Sequence, residues 1–379
     1  MPNETPPAHR FTWLLAALLV ESVAFAGCVG DPFHVGGGAG GGTGGGGGEP
    51  IGGGGAGGGT GGGGGEPVGG GGAGGDTGGG PPSVPVTWPD SPTKRCSDGT
   101  IVVEQCPGPS EPFFGQDGSY EIAVPSYTNR EDTVRDSVTG LAWEKRLEDV
   151  TFTFAAAKEH CDALAAENHG GLTGWRLPTL RELVSIIDFG NTTAFQDIFV
   201  TTPGSIYWSA TDVAGTDGSF AWGVLTSDAS IGYHPKAGMT NARALCVGGG
   251  QAIPPADLSS FGEEWALDRS TGLVWQRQHA TGTFDWSDAL AHCEDLTLAG
   301  KSDWRLPSAK ELLSIVDDRL LGPAIDQQIF SGTPSSIFWS STPALVSADR
   351  AIVVNFNNGA SQDNSVRDRR LTRCVRSDG

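Results

Sequence analysis

Positive charge is scarce in this chain. Its 379 residues carry 24 Lys and Arg against 44 Asp and Glu, giving a net charge of −20. No basic tract occurs outside Arg367–Arg376, so a nucleic-acid backbone would be repelled over most of the surface. Neither DNA nor RNA is an expected partner. Histidine is sparse as well: seven residues, none in a His-x-His or His-x-x-x-His spacing. A catalytic zinc site is therefore not expected. The chain also lacks a nucleophile elbow for Ser/His/Asp chemistry. Its early apolar run, Phe11–Val20 (FTWLLAALLV), is too short to span a bilayer.

That run has the length of a signal h-region, and residues 1–27 read as an export signal. Val23-Ala24-Phe25-Ala26-Gly27-Cys28 follows it. Small-small-Cys in this place resembles the lipobox of bacterial lipoproteins, which implies a lipid on Cys28 and a membrane as partner. Phe25 replaces the usual Leu, and Glu21 is acidic close to the run. Cleavage after Ala24-Phe25-Ala26 fits the small-x-small rule of ordinary signal peptidase equally well, leaving a secreted or periplasmic chain. Either route leads to a compartment where disulfides persist. Seven cysteines are present, at 28, 96, 106, 161, 246, 293 and 374, and setting Cys28 aside leaves an even six.

Residues 28–93 read as a tether. Of the 45 positions from Gly36 to Gly80, 32 are Gly, arranged as a decaying repeat of GGGAGGGTGGGGGEP units. Such a sequence has too few apolar side chains to offset its ordering entropy. A Pro-rich stretch ends it. Residues 94–112 then hold Cys96-SDGTIVVEQ-Cys106, which suggests a small disulfide-closed neck.

The remainder is a duplication. GWRLPTLRELVSIID (174–188) recurs as DWRLPSAKELLSIVD (303–317), identical at nine of fifteen positions. Asp136-SVTGLAW-Glu144 matches Asp268-RSTGLVW-Gln276, and Phe154-AAAKEHC-Asp162 matches Trp286-SDALAHC-Glu294. Ile206-YWSAT-Asp212 matches Ile337-FWSST-Pro343, and Ala244-LCV-Gly248 faces Thr372-RCV-Arg376. Two modules are thus expected, 113–250 and 257–379, each with the order strand, helix, Trp-Arg-Leu-Pro loop, helix and several short strands. Either is long enough for its own core.

In the first helix of each copy the apolar positions fall on one face and include the Cys: 154, 157, 161, 164 and 165, then 286, 289, 290, 293 and 296. Thr179-x-x-Glu182 and Ser308-x-x-Glu311 are capping boxes after a Pro. Leu180, Leu183, Val184 and Ile187 form a buried stripe behind one box; Ala309, Leu312, Leu313 and Val316 do so behind the other. Each copy has one Cys on its first helix and one on its last strand. Cys161–Cys246 and Cys293–Cys374 are therefore the economical pairs, with Cys96–Cys106 left over.

These joint patterns resemble a bacterial domain family of largely unknown function, typified by the C-terminal domain of the Legionella collagen-like adhesin. The resemblance implies an α+β module similar to C-type lectins and to sulfatase-modifying enzymes, with two helices and a twisted antiparallel sheet. For the adhesin it also implies binding of sulfated polysaccharides.

The enzyme reading lacks its requirement, a close reactive Cys pair, because the six cysteines fall into structural pairs. Calcium-dependent sugar binding needs carboxylate and amide clusters. Asn357-Asn358 and Asp363-Asn364 supply oxygens but read as a hairpin turn, and no cofactor or metal is expected. His160 and His292 read as surface neighbours of their cysteines, and the shared Trp pairs as core. Arg176, Arg305, Asp188 and Asp317 read as satisfied structural charges. One patch could take an anion: on a strand, Arg367, Arg369 and Arg373 would share a face. The expectation is a non-catalytic surface lipoprotein that binds polysaccharide or another surface polymer, or else a structural envelope protein.

Overall fold

The computed structural model describes residues 88–145, 150–191, 194–195, 198–199 and 201–377. The export signal, Cys28 and the whole Gly-rich run lie outside the described residues.

Cys96–Ser97 (β1) and Val102–Val103 (β2) form a small hairpin, closed by Cys96–Cys106. The first copy begins with Tyr127–Asn129 (β3), Thr133–Asp136 (β4) and Ala142–Glu144 (β5). Helices Phe154–Glu167 (α1) and Leu180–Ser185 (α2) follow, then strands Ile206–Asp212 (β6), Phe220–Leu225 (β7), Ile231–Pro235 (β8) and Val247–Gly248 (β9). The second copy repeats this order. It runs through Leu258–Phe261 (β10), Trp265–Asp268 (β11), Leu273–Gln276 (β12), Trp286–Glu294 (α3) and Ala309–Ser314 (α4). Ile337–Pro343 (β13), Arg350–Asn355 (β14), Ala360–Ser365 (β15) and Val375–Ser377 (β16) complete it.

Each copy closes on itself through a four-stranded sheet, ordered β3-β4-β5-β9 and β10-β11-β12-β16. The last strand returns to pair antiparallel with the third, Trp143 opposite Val247 and Trp275 opposite Val375. Just before that strand lies the cysteine bridged to the first helix: Cys161–Cys246 and Cys293–Cys374, as the duplication implied. Behind each bridge sits a satellite core. One contains Leu164, Trp175, Leu177 and Trp208; the other contains Leu290, Trp304, Leu306 and Trp339.

The three long strands of each copy do not form a sheet of their own. They join in one six-stranded antiparallel sheet, ordered β13-β14-β15-β8-β7-β6. Ile231 of β8 pairs with Ser361 of β15, and its N–H is also donated to the Ser361 hydroxyl. The largest core is shared in the same way, with Leu183 and Val184 of α2 in one cluster with Leu312 and Leu313 of α4. The expectation of two separately cored modules is corrected accordingly. Two β-rich modules with four α-helices share a sheet and a main core, because the α2 and α4 stripes face each other rather than their own strands alone.

Two expected boundaries also move. The tether reading covers residues 88–93, yet Trp88, Asp90, Ser91 and Thr93 are buried. Trp88 Nε1 donates to the Lys310 carbonyl at 3.1 Å, and the Ser91 hydroxyl accepts from Phe189 N at 3.2 Å. The first-module reading begins at residue 113, but residues 113–120 pack on the second copy. Phe113 lies 5.7 Å from Trp286, Tyr120 Oη donates to Glu294 Oε1 at 2.5 Å, and Asp117 accepts from Thr342 Oγ1 at 2.8 Å. Residues 88–122 form a strap laid across both copies.

Candidate functional site

The structure gives most polar groups of the repeated segments a mechanical role. Thr179 Oγ1 accepts from Glu182 N at 3.2 Å, and Glu182 Oε2 accepts from Thr179 N at 2.8 Å, closing the expected capping box. The same carboxylate takes Arg176 in a two-pronged pair, Nη1–Oε2 2.6 Å and Nη2–Oε1 2.5 Å. Ser308, Glu311 and Arg305 repeat this arrangement around α4. Pairs of this geometry fix orientation as well as charge.

The other shared motifs attach to the same joint. Arg176 exchanges backbone hydrogen bonds with Val247 beside Cys246, and Arg305 with Val375 beside Cys374. Thr211 of the Trp-Ser-x-Thr motif accepts Leu180 N at 2.9 Å, and Thr342 accepts Ala309 N at 2.9 Å, so each hydroxyl satisfies an otherwise orphan donor at a helix start. Asp136 and Asp268, fully buried, hold the following turns through Val138 N and Thr139 Oγ1, and through Ser270 N and Thr271 Oγ1. Gly140 and Gly272 end those turns at φ +69° and +71°, where an L side chain is strained. Asp188 accepts from Gly190 N, and Asp317 holds Arg319 in a two-pronged pair.

The histidines differ from the expected surface neighbours. His160 Nε2 lies 3.0 Å from Glu144 Oε1, half-buried against Phe152. The hydrogen bond to Glu144 raises its pKa above the ordinary value, against the opposing effect of burial. Cys246 completes the trio Glu144, His160 and Cys246, but its sulfur is committed to Cys161, so this trio does not offer a thiolate to a metal. In the second copy Gln276 stands for Glu144, and its Oε1 accepts from Cys374 N.

The arginine patch is corrected in part. Residues 366–368 form a turn and a bend rather than a strand, and only 375–377 are extended as β16. Arg373 is fully buried, donating to the carbonyls of Gln276 and Arg277 and to Thr333 Oγ1, with its guanidinium carbon 4.5 Å from the Phe330 ring centroid. It cannot share a surface with Arg367 and Arg369, which remain exposed. Arg369 donates to the Thr283 carbonyl, Arg370 pairs with Asp368, and Arg376 pairs with Asp303. The Asn355–Gly359 segment is a hairpin turn: Asn355 Oδ1 accepts Asn357 N and Asn358 Oδ1 accepts Ala360 N.

A concave feature lies between the copies. A cleft of about 320 Å³ is walled by α2, by the linker around Ile253–Ala256 and by the segment 313–319. Trp88 of the strap closes one side. Arg181, from the same repeated segment, lines it. Its duplicate, Lys310, is fully buried and donates to the Asp90 and Ser185 carbonyls at 3.1 and 2.9 Å. Arg181 Nη1 donates reciprocally to the Ser314 carbonyl at 2.7 Å. The two short helices therefore exchange cations at each other's C-terminal carbonyls, where the helix dipole is negative. The duplicated position is Arg in one copy and Lys in the other, and sequence reasoning missed what either does. The available signal was a cation in the first turn of a helix whose neighbours on both sides are buried.

Two tandem disulfide-bridged, β-rich modules built around a capped Arg–Glu joint define the class. Residues 132–247 and 264–376 each match the Lcl C-terminal domain, and the chain belongs to that family. No curated protein sequence matches the chain.

Proposed function

We propose that this chain is a non-catalytic binding protein of the bacterial surface. In this reading a lipid on Cys28 anchors it, and its tandem C-type-lectin-like modules engage a polysaccharide or another surface polymer. The observation that carries the proposal is the fate of the signature residues in a tandem member of the Lcl C-terminal domain family. Arg176, Arg305, Glu182, Glu311, Asp136, Asp268, Thr211 and Thr342 are turned onto backbone or onto one another, and the six described cysteines are closed as disulfides. Such residues serve to shape a surface. Three bridges also support an oxidising location, in keeping with export. Arg367 and Arg369 stay on the surface as candidate contacts for an anionic polymer.

The test uses residues 29–379, which keep the tether and the buried Trp88, on an array of neutral, carboxylated and sulfated glycans. Binding to one class, weakened when Arg367 and Arg369 are both changed to Ser, is the expected result. A blank array across all three classes would overturn polymer binding and favour a structural envelope role.

A further inference from the structure

The joint between first helix and last strand is built twice, and among the described residues only one copy of it gathers donors for a metal. Glu144 of β5, His160 of α1 and Cys246 beside β9 bring a carboxylate oxygen, a ring nitrogen and Sγ within 4.8 Å of one another. The second copy repeats the frame. Glu144 N donates to the Cys246 carbonyl at 2.9 Å, and Gln276 N donates to the Cys374 carbonyl at 3.0 Å. His160 packs on Phe152 with ring centroids 5.1 Å apart, and His292 packs on Phe284 at 4.8 Å. At the ligand positions only residues 144 and 276 differ. The Gln276 amide oxygen is neutral and spent on Cys374 N, while His292 Nε2 is buried without a partner. Since the second joint folds with Gln in this place, the joint itself does not require the Glu144 carboxylate.

Thiolate, imidazole and carboxylate are the donor types of tetrahedral zinc sites, bound at roughly 2.0–2.3 Å and so lying roughly 3.3–3.8 Å from each other. His160 Nε2 is already 3.0 Å from Glu144 Oε1, so the closure that remains falls on Sγ, by little more than about 1 Å. Glu144 and Cys246 are buried, but the His160 side chain is 30% exposed and gives an ion its way in from solvent. What blocks the site is the bond from Cys246 Sγ to Cys161. A dithiol reductant cleaves that sulfur–sulfur bond, supplies two electrons and two protons, and is itself oxidised to a disulfide. The ion then displaces the Cys246 thiol proton to solvent, because the thiolate is the ligand form. The His160 proton sits on Nδ1, which frees the Nε2 lone pair.

We propose that, once the Cys161–Cys246 bridge is open, the first copy holds one zinc ion through the Cys246 thiolate, His160 Nε2 and a Glu144 carboxylate oxygen. The first joint thus has two alternative clasps, a disulfide or a metal, and the second joint has the disulfide alone. This site and the polymer-binding reading do not depend on each other.

Cys161→Ser in residues 29–379 opens the site without a reductant and, with Cys28 absent, leaves Cys246 as the free thiol. Cys293→Ser, which frees Cys374 beside Gln276, is the matched control. Calorimetric titration with zinc chloride should give one ion per chain for Cys161→Ser and none for Cys293→Ser. Cobalt(II) should give thiolate-to-metal charge-transfer absorption in the first alone. Adding Glu144→Gln or His160→Ala to Cys161→Ser should raise the Kd for zinc at least about tenfold. If Cys161→Ser has lost its near-ultraviolet circular dichroism, zinc should restore it, because metal binding then drives folding. A folded Cys161→Ser chain without the cobalt–thiolate band, equal zinc binding by Cys293→Ser, or a Kd unmoved by Glu144→Gln would each overturn the proposal. So would an unfolded Cys161→Ser chain that zinc does not restore.

Discussion

At the scale of the residue, the glutamates of the two capping boxes carry the most. Each accepts the N-cap N–H and takes an arginine on both oxygens, so a single neutralising change removes a cap and splits an ion pair. The two copies differ in water access. Arg305 and Glu311 have side chains 8% and 6% exposed, whereas Arg176 is 34% exposed against a fully buried Glu182. Breaking the buried pair leaves a cation that water cannot reach, so Glu311→Gln should cost about 3–5 kcal/mol. Glu182→Gln should cost about 1–2 kcal/mol, because solvent screens and re-solvates part of Arg176. Urea denaturation of the two variants checks the order, and equal losses would contradict the role given to burial.

At the scale of the element, the strap 88–122 departs most from a reading by composition. Glycine and proline runs announced a tether, and its last residues looked like more of the same. Trp88 nevertheless joins the shared core, 6% exposed, and sits against Lys310 of one copy and Arg181 of the other. Its removal opens a cavity that neither copy can fill, so Trp88→Ala should cost about 3–5 kcal/mol. A fragment starting at residue 94 should show the same loss, measured as a drop in Tm beside a fragment starting at residue 29. Unchanged stability of the fragment starting at residue 94 would remove residues 88–93 from the folding unit. The helices gave up more to sequence reading. Both capping boxes, the Cys-bearing face of α1 and α3 and the stripes of α2 and α4 were legible because period and cap chemistry are local. The buried Lys310 was not, since helical period cannot show that a second helix will lie across the polar side.

At the scale of the whole molecule, the duplication has been fused rather than strung out. β8 and β15 complete one sheet, and α2 packs on α4 within one core, so neither copy keeps its main apolar face when the other is removed. The described part should unfold in one transition, with calorimetric and van't Hoff enthalpies in agreement. Two resolved transitions in scanning calorimetry would show that the copies fold independently.

The sequence alone determined the count of modules, their helices and caps, the three cysteine pairs and the family, because each rests on local chemistry or on comparing one copy with the other. Only the tertiary structure decided that the copies share a sheet, that Arg373 is core rather than surface, and that Arg181 and Lys310 meet different fates. The physical reason is that burial and partner identity are set by what arrives from distant sequence. The same repeated segment carries both cations, and the strap from residues 88–122 is present only once. It satisfies Lys310 with a carbonyl, and it offers Arg181 an aromatic face.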